Sequence, residues 1–185
     1  MKASHKGRNV ATGVLAGILI IGVAYGALSS AGISIVQKTT VTTTESSTTT
    51  VPVPTSSNVV NGLISVSARQ YEAYQVNIPN SAYNAQLSGT FTASGGSGND
   101  IIVYVMDATS YVNWQNGHQG STYYNSGQTT TGSFSVNFPT SGTYYLVYSN
   151  TFSTFSTKNV NTQVNLSYTT DQQSVVTYTT TYVTS

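Results

Sequence analysis

The chain has no cysteine, and only 6% of its residues are charged. Without cysteine, disulfide bonds, thiolate zinc sites and thiol catalysis are excluded. About a quarter of the residues are charged in an ordinary soluble protein, so solubility here must come from hydroxyl and amide side chains. Nucleic-acid binding by phosphate neutralisation needs clustered Lys and Arg. After residue 36 the sequence has three basic and five acidic residues, and it therefore predicts no nucleic-acid partner: Lys38, Arg69, Lys158, Glu45, Glu72, Asp100, Asp107 and Asp171.

A long apolar run follows a short basic segment at the N-terminus. Residues 1–9 carry Lys2, Lys6 and Arg8, and residues 10–36 contain no charged side chain. A helix needs about 20 apolar residues to cross a bilayer, and a preceding basic excess keeps the N-terminus in the cytoplasm. The sequence therefore predicts a cytoplasmic tail over 1–9 and a single-pass signal anchor over 10–36. Membrane lipid is then a partner, and the remaining chain lies outside the cell membrane.

The same apolar run allows two other interpretations. Small residues around Ala24–Gly26 suit cleavage by a signal peptidase, although the apolar region of a signal peptide is only about 7–15 residues long. Lys6-Gly7 ahead of the run resembles the processing site of archaeal type IV pilins. In that family an uncharged residue usually follows, where this chain has Arg8. Cleavage would give a secreted protein or a filament subunit.

Threonine and serine dominate the next segment, residues 37–57. They make up thirteen of the twenty residues from Lys38 to Ser57, and Pro52 and Pro54 oppose regular strand pairing. Such Thr/Ser tracts with proline are typical of O-glycosylated spacers. We predict a disordered stalk, either glycosylated or bare. The β-branched Thr and Val side chains also allow a strand that pairs elsewhere.

Residues 58–168 show the two-residue alternation of strands that bury one face. Ala85–Ala93 and Phe134–Phe138 alternate in this way, and Ile101–Met106 is apolar on both faces, which indicates a central strand. The inward set of the last strand is Val160, Thr162, Val164, Leu166 and Tyr168. Turn signals separate the strands, so we predict an all-β protein, an antiparallel β-sandwich of about seven or eight jelly-roll-like strands. Residues 169–185 are an extra strand, a disordered tail or a strand offered to another subunit.

A polar corner over residues 150–158 joins the last two predicted strands. We expect Phe152 and Phe155 to fold back over the end of the core. The amine of Lys158 is expected to lie over the carbonyl groups of the turn. Asp100, in a glycine-rich turn, is expected to cap that turn; one carboxylate alone falls short of the six to eight oxygen ligands that calcium usually takes.

A long polar loop over residues 107–131 carries aromatic side chains among amides and is expected to contain a helical turn near residues 111–114. The rings either anchor the loop, with Trp114 over the sheet, or contact a ligand such as a sugar. We therefore hold four as possible ligand contacts: Tyr111, Trp114, Tyr123 and Tyr124. No set of residues predicts a catalytic, cofactor-binding or metal site. Asn165 begins the sequon Asn-Leu-Ser on a solvent-facing position, which predicts possible N-glycosylation.

Several short motifs together resemble the GOLD (emp24/p24-like) β-sandwich, as in prokaryotic and especially archaeal membrane-anchored surface proteins. The motifs are Gly142–Tyr145, Ser149–Ser153, Lys158 with Val160, Gly98–Asp100 and Asn113–Gly117. The resemblance covers roughly residues 63–168. It implies an all-β module that recognises proteins or other ligands and has no active site. Eukaryotic p24 proteins also have a coiled coil, a C-terminal membrane helix and a cysteine pair, so we do not carry over their vesicle-cargo role.

We therefore expect a non-enzymatic, single-pass surface protein that displays a β-sandwich as a binding or structural module. Its expected partners are other envelope proteins or glycans, and its oligomeric state is open. The alternative is a secreted or pilus-like filament subunit that adds a strand to a neighbour's sheet. That strand would come from Val41–Thr50 or Val175–Thr184. A more distant alternative is a carbohydrate-binding surface module.

Overall fold

The computed structural model describes residues 13–19 and 39–184. The chain forms two compact units, residues 52–171 and residues 1–51 with 172–185. The predicted tail over 1–9 and most of the predicted anchor over 10–36 lie outside the described residues. Within the described part, no helix is long and apolar enough to cross a membrane. The described part of the predicted anchor, Gly13–Leu19, is a strand and not a helix; for the residues around it the anchor stays a prediction.

Nine strands and one helix make up the described residues. Their bounds in chain order are β1 Gly13–Leu19, β2 Thr39–Val66, β3 Tyr71–Ile78, β4 Ala82–Ser94, β5 Ile101–Asp107, α1 Ala108–Gln115, β6 Tyr124–Thr129, β7 Thr131–Asn137, β8 Gly142–Ser149 and β9 Lys158–Thr184.

Two sheets form in the orders β1-β2-β9-β4-β7 and β3-β8-β5-β6. Eight of these strands, β2 to β9, contribute to residues 52–171, the unit that forms an antiparallel two-sheet sandwich. The predicted all-β sandwich is confirmed. Strand β5 lies between β8 and β6, as its two apolar faces predict.

The hydrophobic core lies between the two sheets of the sandwich, and the predicted alternation places its side chains. Leu87 from β4 and Val164 from β9 meet Val103 and Leu146 from the opposite sheet, and all four are fully buried. The predicted inward residues Phe134 and Val136 of β7 are also buried, as is Phe138 directly after the strand. Burial of one face fixes strand register, because a shift by one residue would turn every apolar side chain outward.

The predicted polar loop over 107–131 contains more structure than the sequence indicates. Asp107 caps α1, since its two carboxylate oxygens accept bonds from the backbone N–H and the hydroxyl of Ser110. The helix ends at Gln115, and Gly117 follows with φ of +74°, a conformation in which glycine is favoured. The predicted helical turn is thus confirmed as a full helix. Strand β6 was not predicted, because Tyr124–Thr129 has no apolar alternation.

In the second unit, the described residues 13–19, 39–51 and 172–184 all belong to strands. Strand β1 pairs antiparallel with β2, from Gly13 opposite Thr48 to Leu19 opposite Thr42. From Thr39 onward, residues predicted as a disordered stalk belong to β2. The β-branched side chains of Thr and Val explain this, because they favour extended backbone. At the other end β9 continues to Thr184, so the tail takes its predicted extra-strand form.

Candidate functional site

Five aromatic side chains meet on the outer face of the sheet β3-β8-β5-β6, beside α1. They come from β3, β5, α1 and β8, and we call them the aromatic cluster: Tyr71, Tyr104, Tyr111, Trp114 and Tyr145. Tyr104 and Tyr145 point outward because their strand neighbours Val103 and Leu146 point into the core. All five are half-buried, so each presents part of its surface to solvent.

The rings of the aromatic cluster pack closely on one another. Tyr111 stacks on Tyr145 with ring centroids 4.0 Å apart and planes at 15°. Trp114 receives Tyr71 edge-on at 4.9 Å and lies 5.8 Å from Tyr104. The three-residue spacing of Tyr111 and Trp114 puts both on the face of α1 that meets the sheet. These contacts hold the short helix against the sheet and fix the ring orientations.

Gln115 binds two hydroxyl groups of the cluster, and burial raises the pKa of two of its tyrosines. The side-chain amide of Gln115 donates to the hydroxyls of Tyr71, at 2.6 Å, and Tyr111, at 2.9 Å. Burial, then the hydrogen bond and charge of Tyr71, raise the pKa of Tyr111 to about 12. Burial also raises the pKa of Tyr104. Tyr104 and Tyr111 therefore offer neutral rings and hydroxyl groups at physiological pH.

The structure brings together only two of the four predicted ligand contacts. Tyr111 and Trp114 belong to the aromatic cluster, whereas Tyr123 packs edge-on against Phe138 and Tyr144. Tyr124 faces inward and lies 4.9 Å from the ring of Phe134. The four residues lie in one predicted loop, which suggested that they share one surface. Tyr124, the first residue of β6, instead points into the core.

Sequence reasoning missed three members of the cluster: Tyr71, Tyr104 and Tyr145. The signal that could have found them is an aromatic residue on the outward position of a strand whose other face is apolar. Tyr145 follows this pattern, because its neighbours Tyr144 and Leu146 both lie in the core. That these three side chains all contact aromatic residues of α1 could be predicted only from the sheet order and the position of α1.

Asn150 organises the corner between β8 and β9. It is fully buried, and its side-chain amide donates to the carbonyl oxygens of Val66, Ser67 and Ser156 at 2.8–3.1 Å. Its backbone N–H donates to the carbonyl oxygen of Gln70. One side chain thus ties the end of β2 to the polar corner, which supports the predicted structural role of this motif.

Two details of the predicted corner are wrong. Phe155 is 93% exposed and does not cover the core; Phe152 is half-buried, with its ring centre 5.8 Å from the amine of Lys158. The Lys158 amine bonds the carboxylate of Asp100 at 2.5 Å rather than turn carbonyls. The Lys158 side chain is buried, and Gln128 donates to the second Asp100 oxygen at 2.6 Å.

The structure also bears on a metal site and on the predicted sequon. Among the described residues, no group of three or more His, Asp or Glu side chains is close enough to hold a metal ion. Asn165 of the predicted sequon lies on the outer face of the other sheet, opposite Ser88 of β4. It lines a shallow depression with Gly89 and Gln163. Glycosylation at Asn165 stays a prediction.

The comparison with protein families gives a match over most of the sandwich and β9. The family model for the emp24/gp25L/p24 family, with its GOLD domain, matches residues 65–183, well over half of the chain. The chain belongs to this family. A search of curated proteins finds no match. Members of the emp24/p24 family are membrane-associated and resemble non-enzymatic cargo receptors, and the resemblance drawn from the sequence motifs is thereby confirmed.

Proposed function

We propose that this GOLD protein is a non-enzymatic, single-pass membrane protein that displays its sandwich at the cell surface as a recognition module. Two observations support the location. Residues 10–36 form an uncharged run behind Lys2, Lys6 and Arg8, and the family is membrane-associated. Residues 37–57 then act as a spacer between the membrane and the sandwich, either as a paired strand or as an unpaired chain.

The aromatic cluster carries the recognition part of the proposal. Trp and Tyr dominate binding hot spots, because they bury a large area and lose little side-chain entropy. In the cluster, Trp114 and Tyr111 are already ordered by ring contacts and by Gln115. Partial exposure leaves their outer surfaces free for a partner. The binding surface is thus formed before the partner arrives, which reduces the entropic cost of association.

Charge indicates the class of partner. The cluster contains no Asp, Glu, His, Lys or Arg side chain, and charged residues are 6% of the chain. Association is then not steered by a strong field. Neutral rings beside hydroxyl and amide groups suit an uncharged glycan or a polar protein surface of the envelope.

The topology can be tested with single cysteines, since the natural chain has none. Ser97 lies exposed in the turn after β4, and Ser4 belongs to the predicted cytoplasmic tail. A membrane-impermeant maleimide should label Ser97→Cys in intact expressing cells. It should label Ser4→Cys only after lysis. Labelling of Ser4→Cys in intact cells, or a soluble Ser97→Cys protein, would contradict the proposed topology.

The binding surface can be tested with a glycan array. We expect Trp114→Ala to weaken the binding of any glycan at least tenfold. Tyr123→Ala is the matched control, because Tyr123 is an exposed aromatic residue outside the cluster. Equal binding of Trp114→Ala and the parent protein would remove the cluster as the contact surface. Absence of any bound glycan would restrict the partners to proteins.

A further inference from the structure

The C-terminal part of β9 has an edge that no described strand occupies. Strand β9 lies between β2 and β4 in its sheet, but its pairing with β4 ends at Thr170, opposite Ala82. From Gln172 to Thr184, β4 therefore no longer pairs with β9, and no other strand among residues 13–19 and 39–184 takes its place on that side. This edge presents backbone N–H and C=O groups that can pair with another strand.

This segment lacks the features that normally protect a free edge. Residues 174–184 read SVVTYTTTYVT, without charge, proline or glycine. Natural edge strands use lysine, proline or bulges to prevent pairing with other chains. Its large side chains are uncovered: Val175, Tyr178, Tyr182 and Val183 are each about 60% exposed, and Val176 is 41% exposed. The segment combines high strand propensity with an available apolar surface.

We propose that two copies of the chain pair antiparallel through this edge of β9, about a twofold axis at Thr179. A symmetric antiparallel pair must place one residue opposite its own copy, and the residue numbers of each opposed pair then have a constant sum. With Thr179 on the axis, Val175 faces Val183 of the second copy and Val176 faces Tyr182. Cross-strand pairs of aromatic and β-branched side chains stabilise antiparallel strands.

The alternative symmetric registers match the apolar residues less well. An axis at Tyr178 places both Val175 and Val176 opposite threonine. An axis at Thr180 places Val176 and Val183 opposite threonine, although it pairs Tyr178 with Tyr182. Only the axis at Thr179 matches four of the five apolar side chains with apolar partners. The closed twofold pair also differs from open-ended strand addition, because it stops at two copies.

A charge-swap experiment tests both the pairing and its register. Val176→Lys with Tyr182→Lys places lysines opposite each other and should give a monomer by light scattering in mild detergent. Val176→Lys with Tyr182→Glu places opposite charges across the interface and should restore the dimer. The full chain is used throughout. A monomeric natural chain, or a charge-swapped variant that stays monomeric, would overturn the proposal.

A single cysteine gives an independent measurement of the register. At Thr179→Cys the two Cα atoms would lie about 4.5–5.5 Å apart, which a disulfide can bridge. Thr177→Cys is the matched control on the same strand face; its copy would be offset by four residues, roughly 13 Å. Mild oxidation should therefore cross-link only Thr179→Cys. Equal cross-linking of both would indicate parallel in-register pairing or random collision, and no cross-linking would indicate an unpaired edge; each result overturns the proposal.

Discussion

Tyr148 and Thr162 join the two sheets of the sandwich through hydroxyl oxygens 2.6 Å apart. The hydroxyl of Thr162 also donates to the carbonyl oxygen of Thr90 at 3.0 Å. Its single proton is then used, so Tyr148 must be the donor in the bond between the two hydroxyls. Burial raises the pKa of Tyr148 well above its ordinary value. The group therefore remains a proton donor over the whole physiological range.

The direction of this bond predicts unequal costs for its two partners. Tyr148→Phe removes the donor, while the hydroxyl of Thr162 still donates to the carbonyl oxygen of Thr90. We therefore expect a loss of about 1 kcal/mol in unfolding free energy. Thr162→Val keeps the shape but leaves a buried tyrosine hydroxyl without an acceptor, at a cost of about 1–3 kcal/mol. Urea unfolding of both variants and the double variant measures this. A larger loss for Tyr148→Phe would contradict the assigned direction.

The ion pair of Asp100 and Lys158 predicts an acid-sensitive contribution to stability. The hydrogen bond from Lys158 is the largest cause that lowers the pKa of Asp100 below 3.8. Because the folded pKa lies below the unfolded value, this contribution is complete above about pH 4 and is lost as the pH falls through the folded pKa. Unfolding free energy measured from pH 6 to pH 2 should fall more steeply in the natural protein than in Asp100→Asn.

Variants of the two charges should also differ in magnitude. The Lys158 side chain is 4% exposed and that of Asp100 is 18% exposed. Asp100→Asn strands a buried ammonium group, for which we expect a loss of roughly 2–4 kcal/mol, somewhat below the value for a fully buried pair. Lys158→Met leaves Asp100 with Gln128 and partial solvent access, so its loss should be smaller. Equal losses at pH 7 would show that burial of the amine is not the dominant cost.

The alternation of side chains predicted the sandwich because burial of one face leaves a local record in the sequence. Leu87, Phe91 and Val164 show this, since each occupies the inward position that its strand pattern assigns. The same reasoning failed for β6, where Tyr124 alone carries the inward signal. For residues 39–57 the sequence left two alternatives open, because a threonine-rich composition is compatible both with a disordered stalk and with an extended strand.

The aromatic cluster and the ion pair could not be predicted in the same way, because they depend on contacts between distant strands. Tyr71 and Tyr145 become neighbours of α1 only through the order β3-β8-β5. Asp100 and Lys158 lie 58 residues apart, and nothing local marks them as partners. The sequence predicted two of the five cluster residues, Tyr111 and Trp114, through their unusual loop.

Alkaline titration should identify Tyr111 as a late-ionising residue. Its pKa of about 12 exceeds the ordinary value of 10.0, so its stabilising contribution is complete below pH 10 and is lost as the pH rises through about 12. Tyrosinate absorbance of the natural protein minus that of Tyr111→Phe should show one group with a midpoint near 12. A difference curve for Tyr111→Phe centred at pH 10 would show that the cluster is open to solvent.

The buried amide of Asn150 should be the most sensitive position of the corner. Asn150→Ala removes two N–H donors that three carbonyl oxygens share, and at about 0.5–1.5 kcal/mol per donor we expect a loss of roughly 1–3 kcal/mol. Asn150→Asp keeps the shape but sets a carboxylate against the carbonyl oxygens of Val66, Ser67 and Ser156. Its loss should exceed that of alanine at pH 7 and decrease on acidification, as the carboxyl group regains a proton to donate. Thermal unfolding at pH 7 and pH 4.5 measures both effects. An aspartate variant that is as stable as the natural protein at pH 7 would show that the corner does not depend on the amide donor.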